Sequence, residues 1–534
     1  MDQQAPVEVE PAGVDHCRLF YEPVVLEQAL QVACRDGQEV FNGNPKVDND
    51  SLATQAQVFR YFVEKLAQVC DNERGGKTVT SFAVLNSPEG PEFVFGSNDR
   101  DANELSETQQ FAESLLTLVG QNPTGLKPKA LAKQVLWKIL LFNLPRVGIY
   151  LDKLGGYLHA CIGDCDRREA PDVLKSELLR LKEKVEFPRD FASGSVQDKF
   201  LSDCEKLIKV VVSIKNTQIE QAIMRNAKDG EISRSQSWCE LRHYLGRLLS
   251  FRQAADAIIG AHDRLPILFQ DFKITPIPSS EAARKPIAKS KSFTAASIIR
   301  NMIPDDEEEQ KFYLEQATEM QKFGLDAIIQ KQISRRTFRP RVHAEVLVHS
   351  YLLGQDLQHP REYWNSWKYI GSSKPTCRLC SYYFGAHPDR VQVRKSHFNL
   401  YTNWRLPGVF EGPDSVEPDT KTLHLLQQIT ERVHDDVKRT LEEKRPVGKN
   451  HDSNTYSTLP PGFPRYAHSD TASISEVVAQ LNEMNLDRHI NGQSHLLTDG
   501  GDDGFSMIGD AEVEAAAEGN EGVPVTSVRP LIQV

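Results

Sequence analysis

Two segments of the chain are the most informative about its structure: Val342-His-Ala-Glu-Val346 and Tyr369-Ile-Gly-Ser-Ser-Lys-Pro-Thr-Cys-Arg-Leu-Cys-Ser-Tyr-Tyr383. The first places His343 and Glu345 at the start of an apolar run with helical spacing. The second predicts a strand at 368–371 and then a helix that carries Cys377 and Cys380 near its N-terminus. We therefore expect a helix, a strand and a helix, with chemically active side chains at the start of each helix.

One histidine and two cysteines suit Zn²⁺, which prefers imidazole nitrogen and thiolate sulfur in tetrahedral geometry. His343, Cys377 and Cys380 are therefore the predicted metal ligands, and the helix dipole near the cysteines favours their thiolate form. Three protein ligands leave a fourth position for water, as catalytic zinc sites do. Glu345 lies beside a ligand without sharing its direction, so we predict that it transfers protons as a general acid and base.

The ordered pair of motifs resembles the signature of the zinc deaminases, H-x-E followed by P-C-x-x-C, with Thr376 inserted between Pro375 and Cys377. Residues 369–407, which include Ser396-His-Phe-Asn-Leu-Tyr-Thr-Asn-Trp404, are similar to a largely fungal, poorly characterised branch of the cytidine-deaminase-like superfamily, related to deaminase domains of bacterial toxins and effectors. The resemblance implies an α-β-α layered domain and a zinc-dependent hydrolase that deaminates a nucleobase in a nucleotide or nucleic acid.

Two β-rich runs, at 78–85 and 91–95, predict a hairpin at 78–98 because a turn-forming cluster separates them. In the superfamily a helix and a hairpin precede the H-x-E helix. The resemblance therefore implies that this hairpin joins the deaminase sheet and that Asn98 matches a substrate-binding asparagine. His397 is a second candidate for substrate binding because it belongs to the downstream part of the resemblance.

The expected fold class is α+β or α/β, with a large all-helical N-terminal or inserted region and a disordered acidic tail. Four regions follow from the patterns: N-terminal helices and the hairpin at 1–100, a helical region at 101–330, the motif region at 331–445 and the tail at 446–534. The helical region is expected to be an insertion between the hairpin and the metal helix. We also predict a flexible loop at 276–291 and helices near 307–332 and 419–444.

Composition indicates a globular protein, with 40% hydrophobic and 26% charged residues. Nine cysteines without a regular framework favour reduced thiols. No signal peptide or apolar stretch of membrane-spanning length is evident, so we expect a soluble intracellular protein, cytoplasmic or nuclear. The net charge of −11 lies mostly beyond residue 445, where four Lys or Arg face thirteen Asp or Glu.

Several features leave two interpretations open. Basic residues on both sides of the motifs, from Lys331 to Arg341 and from Arg390 to Arg405, fit either a phosphate-bearing substrate or a solvated face. Tyr401 and Trp404 fit either base stacking or core packing.

The short helix predicted at 474–484 in the tail has two interpretations: it binds a protein partner, or it has no role. His159, Cys161 and Cys165 fit buried thiols better than a second metal site, because no second half-site accompanies them.

The alternative to an enzyme is an interaction scaffold, in which a catalytically inactive or structural-zinc deaminase-like domain accompanies a helical block that binds partners. Retention of Glu345, which contributes no zinc bond, favours the enzyme.

Overall fold

The computed structural model describes residues 12–34, 54–167, 172–189, 194–227, 232–409 and 419–445. The acidic tail expected at 446–534 and the helix expected at 474–484 lie outside the described residues. Within them the protein is mixed α+β, with a small mixed sheet among many helices. The expected fold class is therefore confirmed at this level.

The strands are β1 (Thr80–Ser87), β2 (Gly90–Ser97), β3 (Lys273–Ile277), β4 (Tyr369–Ser372) and β5 (Gln392–Val393). The N-terminal and central helices are α1 (Ala12–Ala33), α2 (Gln55–Cys70), α3 (Ala102–Gln121), α4 (Pro128–Phe142), α5 (Leu144–Arg167), α6 (Asp172–Val185), α7 (Gly194–Ile214), α8 (Gln218–Asn226) and α9 (Ile232–Arg264). The later helices are α10 (Ala295–Met302), α11 (Glu307–Met320), α12 (Leu325–Ser334), α13 (Ala344–Gly354), α14 (Arg378–Ala386) and α15 (Thr420–Glu443).

The strands form one sheet in the order β3-β2-β1-β4-β5. β1 pairs antiparallel with both β2 and β4, while β3 and β5 extend the two edges in parallel. The hairpin and the strand that precedes the cysteines are thus neighbours, with Phe82 opposite Gly371. Their shared sheet agrees with the expectation from the sequence, although more than 270 residues separate them.

Side chains of the hairpin alternate between two cores, as the period of two in a strand requires. One face of the sheet joins the core built by α2 to α9 through Phe82, Val84, Phe93 and Phe95. The other face joins the core built by α1 and by α10 to α15 through Ala83, Leu85 and Val94. Both faces of the sheet are therefore covered by helices, and α13, which follows His343, packs directly on the sheet.

The hairpin turn requires a glycine at Gly90, which has a φ of +133°. A β-carbon at this position would lie 2.2 Å from the carbonyl oxygen of Asp271, just before β3. Glycine therefore allows both the backbone conformation and the approach of the chain that leads into the edge strand.

Two expectations from the sequence are wrong in detail. The sequence patterns do not predict strand β3, which includes the first residues of the loop predicted at 276–291. Pro276 weakens the strand signal, yet β3 is an edge strand, where the missing N–H is tolerated. The helix predicted at 307–332 is divided into α11 and α12, because the chain adopts a positive φ of 71° at Gly324.

Candidate metal and active site

His343 and Glu345 are positioned by the start of α13, which packs on β1 and β2. His343 occupies the N-cap position with an extended backbone, so its ring projects from the helix end. The side-chain oxygen of Asn98 accepts a hydrogen bond from the Ala344 N–H at 2.7 Å, and its amide donates to the Gly76 carbonyl at 2.7 Å. The end of the hairpin therefore fixes the first turn of α13 beside the candidate ligand.

Cys377 and Cys380 are positioned by the start of α14, a few residues after β4 ends at Ser372. Cys377 is the N-cap residue, and its sulfur accepts a hydrogen bond from the Cys380 backbone N–H at 3.4 Å. Unpaired N–H groups at a helix N-terminus favour negative charge, so this position suits thiolates. Both cysteines are buried, with at most 3% of either residue exposed.

The two helix ends bring three candidate metal ligands together. Nδ1 of His343 lies 3.4 Å from Sγ of Cys377 and 3.5 Å from Sγ of Cys380, and all three ligand atoms lie within 4.8 Å of one another. Tetrahedral zinc with ordinary Zn–N and Zn–S bonds places nitrogen and sulfur ligands about 3.6 Å apart. The donor set and its spacing therefore fit zinc. Within the described residues, no other trio of His, Cys, Asp or Glu side chains forms such a group.

The charges in this cluster depend on one another. Burial alone raises the pKa of Cys377, but the Cys380 hydrogen bond and the neighbouring His343 outweigh it and hold the pKa well below its usual value. Burial, together with the Cys377 thiolate, raises the pKa of Cys380. Burial lowers the pKa of His343, yet the same thiolate raises it above its usual value. Without a metal, the negative charge of one cysteine therefore opposes ionisation of the other. A cation bound among the three side chains would allow both cysteines to be thiolates.

Glu345 is a buried carboxyl group next to the candidate ligands, with 5% of the residue exposed. Burial raises its pKa above the ordinary glutamate value, which His343 opposes and Cys377 reinforces. A carboxyl group whose pKa moves towards neutrality is suited to both accepting and donating a proton. Its position is therefore consistent with the acid and base role predicted from the sequence, which stays a prediction.

A second layer of contacts orients the two cysteines. The indole N–H of Trp404 donates to Sγ of Cys380 at 3.2 Å. Arg378, between the cysteines, pairs with Glu27 of α1 at 2.7 Å and with Asp436 of α15 at 3.2 Å, and all three side chains are buried. Helices from both ends of the described chain thus hold the helix that carries the two candidate sulfur ligands.

Among the candidate substrate-binding residues, Asn98 lies at the first turn of α13, with both polar atoms of its side chain bonded to main chain. His397 is buried, and its Nδ1 accepts from the Asn399 N–H at 2.9 Å. The ring of Tyr401 lies 5.7 Å from that of His397 and 6.3 Å from that of His343. Tyr401 therefore connects His397 to the ligand cluster, and a direct substrate contact of Asn98 or His397 stays a prediction.

Other residues considered from the sequence have structural surroundings. Cys161 and Cys165 are buried in α5, whereas His159 on the same helix is exposed. His349 is fully buried and bonds Tyr383 and Asp389 at 2.8 and 2.9 Å. These contacts fit the expected packing roles rather than metal ligation.

Within the described residues, no helix has both the length and the apolar character needed to cross a membrane. Comparisons with curated proteins and with solved structures returned no match. A family model described as OTT_1508-like deaminase matches residues 342–408, a segment of 67 residues that contains His343, Glu345, Cys377 and Cys380. This segment, about an eighth of the chain, is therefore similar to a deaminase family in the part that builds the candidate site.

Proposed function

We propose that this protein is a zinc-dependent hydrolase that deaminates a nucleobase in a nucleotide or nucleic acid. The observation that carries the proposal is the buried Glu345 carboxyl group next to a His/Cys/Cys cluster in a segment similar to a deaminase family. A buried carboxyl group that ligates nothing is costly, so its presence favours a catalytic role over an inactive scaffold.

His343, Cys377 and Cys380 would hold the metal. Bound zinc supplies a Lewis acid that lowers the pKa of water towards neutrality at the open ligand position. The three candidate ligands come from the N-terminal ends of α13 and α14, and their ligand atoms already lie close together in this structure. The burial of every ligand excludes bulk solvent and strengthens the electrostatic interactions within the site.

Glu345 would carry the protons of the reaction. Water adds to the amino-bearing ring carbon, and Glu345 accepts the proton that this water loses. It delivers this proton to the ring nitrogen, where the proton remains, and then transfers the proton of the added hydroxyl group to the amino group, which leaves as ammonia while the carbon becomes a carbonyl. One water is consumed and one ammonia released, so the protein returns to its starting protonation state.

Asn98, Tyr401 and His397 would form the part of the site that contacts the substrate. Asn98 retains one N–H and one lone pair beyond its two main-chain bonds, which suits hydrogen bonding to a sugar or base. The Tyr401 ring near His343 offers an aromatic face for a nucleobase.

The test combines metal analysis with an ammonia-release screen over nucleosides, nucleotides, single-stranded DNA and RNA. We expect about one zinc per chain in protein prepared without chelators, and loss of the metal in Cys377→Ser and Cys380→Ser. Ammonia release from at least one substrate is expected for the wild type and not for either variant. Protein without metal, or fully loaded protein without activity on any of these substrates, would contradict the proposal.

A further inference from the structure

Two stretches of the chain contain basic residues and no acidic ones, at 282–304 and 327–344. Nine of their Lys and Arg side chains are exposed to solvent. All of these except Arg300 are here named the basic face: Arg284, Lys285, Lys289, Lys291, Lys331, Arg335, Arg336 and Arg339. The second stretch runs directly into His343. A concentration of positive charge therefore leads up to the candidate active site.

The two stretches lie side by side. The side-chain amide of Gln330 donates to the carbonyls of Ser290 and Phe293 at 2.8 and 2.7 Å. Further along, the Ala283 N–H donates to the Pro340 carbonyl at 2.8 Å. These contacts hold the loop after β3 against the end of α12 and the segment that follows it. The eight charges thus belong to one continuous region rather than to two separate surfaces.

The charges of the basic face are not neutralised within the described part of the chain, where none of its eight side chains forms an ion pair. Burial lowers the pKa of Lys285, and the like charge of Lys289 lowers it further, so these two ammonium groups lie close enough to repel. The neighbouring Arg341 differs, since it pairs with Asp99 at 2.7 Å. Its ion pair gives Arg341 a structural role, whereas no described residue forms an ion pair with the basic face.

We propose that the basic face binds the phosphate backbone of a single-stranded nucleic acid whose bases reach the metal site. Eight dispersed charges exceed what the phosphates of one nucleotide can neutralise, whereas a strand offers one phosphate per nucleotide. His343 and Glu345 are at most 5% exposed, so a base must leave its stack to reach them, which is easiest in a single strand. That the bound strand is also the substrate rests on the proposed function.

Binding can be tested without catalysis in the full chain carrying Glu345→Gln. Fluorescence anisotropy with a labelled single-stranded oligonucleotide, as RNA and as DNA, gives the affinity as a function of salt concentration. Adding Arg335→Gln, Arg336→Gln and Arg339→Gln should reduce the slope of log K against log salt by about 2. The affinity should fall by between about 10-fold and 100-fold at 0.1 M salt.

The matched control adds Lys127→Gln, Arg180→Gln and Lys184→Gln, three exposed basic residues at the start of α4 and on α6, which changes the net charge equally. We expect the control to bind like the parent and both triple variants to unfold at the parent's temperature. Equal weakening in both triple variants, an unchanged salt slope, or no binding at all would overturn the proposal. Tighter binding to phosphatidylserine-containing vesicles than to the strand would also overturn it, in favour of a membrane surface.

Failure of this inference differs from failure of the proposed function. A wild-type protein that releases ammonia from free nucleosides, with no binding of strands by the Glu345→Gln protein, keeps the function and overturns the nucleic-acid surface. Binding that depends on the basic face, without ammonia release from any substrate, supports the surface and overturns the function.

Discussion

The indole N–H of Trp404 donates a hydrogen bond to the sulfur of Cys380, with 3.2 Å between Nε1 and Sγ. Trp404 is completely buried, and its carbonyl accepts from the Tyr21 hydroxyl of α1 at 2.9 Å. The ring is therefore fixed in place. An N–H donor stabilises a thiolate more than a thiol, so this contact favours the form of Cys380 that would bind a metal.

Trp404→Phe removes this donor and keeps an aromatic ring in the core. We expect zinc affinity to fall by about 10- to 100-fold, measured by competition with a chromophoric chelator. The sulfur-to-metal charge-transfer band of the cobalt-substituted protein should shift as well. A loss of packing alone would not move this band.

Trp238→Phe is the matched control for that variant. Trp238 is also completely buried, and its indole donates to the Asp164 carboxylate at 2.8 Å, in the helical region. This substitution should lower the free energy of unfolding without changing zinc affinity. An equal fall in zinc affinity in both variants would show that Trp404 acts only through packing.

Local patterns are sufficient to predict that His343, Cys377 and Cys380 come together as candidate metal ligands. H-x-E and C-x-x-C each lie at the start of a helix that follows from its own apolar spacing, so His343, Cys377 and Cys380 need only the intervening strand to meet. The hairpin is predictable for the same reason, because its alternation and its turn are local. The position of Glu345 beside the cluster can be predicted from its spacing to His343. The rise in its pKa cannot, because that rise comes from burial in the folded protein.

The contacts that support the cluster are not local, and the sequence does not reveal them. Arg378 is 351 residues from Glu27 and 58 from Asp436, and a lone arginine within a C-x-x-C carries no signal of either partner. Trp404 fits core packing equally well until its distance to Cys380 is known. Strand β3 is missed because Pro276 and the neighbouring charges resemble a loop.

Arg378→Met should destabilise the protein strongly because it leaves Glu27 and Asp436 buried without their shared cation. Burial already raises the pKa of Glu27, and Arg378 opposes this shift. Removing one member of a buried ion pair typically costs about 3–5 kcal/mol. Urea unfolding should report a loss of this size in the free energy of unfolding, and zinc should be released at lower urea concentrations.

Arg439→Met provides the comparison, since Arg439 pairs with the same Asp436 carboxylate but has 51% of its side chain exposed. Solvent-exposed pairs contribute about 0–1 kcal/mol. Similar losses in the two variants would mean that the buried contacts of Arg378 do not stabilise the junction of α1, α14 and α15.

His349 should make stability depend on pH. Burial lowers its pKa from 6.5 to about 4, with the Asp389 hydrogen bond opposing the shift. As the pH falls below about 6.5 the unfolded chain takes up a proton that the folded protein refuses until about pH 4. The folded state therefore loses stability across this window, by about 3 kcal/mol in total.

His349→Gln removes this titration while keeping a polar side chain near Tyr383 and Asp389. Urea unfolding at pH 7 and pH 5, at one fixed zinc concentration, should show a smaller loss on acidification in the variant than in the wild type. Above pH 7 the two proteins should respond to pH alike. Equal losses between pH 7 and pH 5 would rule out His349 as the source.

Glu345→Gln should abolish deamination while leaving zinc content and folding nearly unchanged, because the residue is assigned proton transfer and not ligation. Glutamine keeps the size and hydrogen-bonding reach of glutamate but cannot accept a proton from water. A buried neutral amide is also cheaper to desolvate than a carboxylate, so the free energy of unfolding should not fall. General acid and base assistance is worth about 10² to 10⁴ in rate, and one residue would here serve several proton steps, so kcat should fall at least this far.

His343→Ala should differ from Glu345→Gln by losing the metal as well as the activity. Full activity of Glu345→Gln on a verified substrate would refute the catalytic assignment even with zinc bound, and loss of zinc from this variant would make Glu345 a ligand instead.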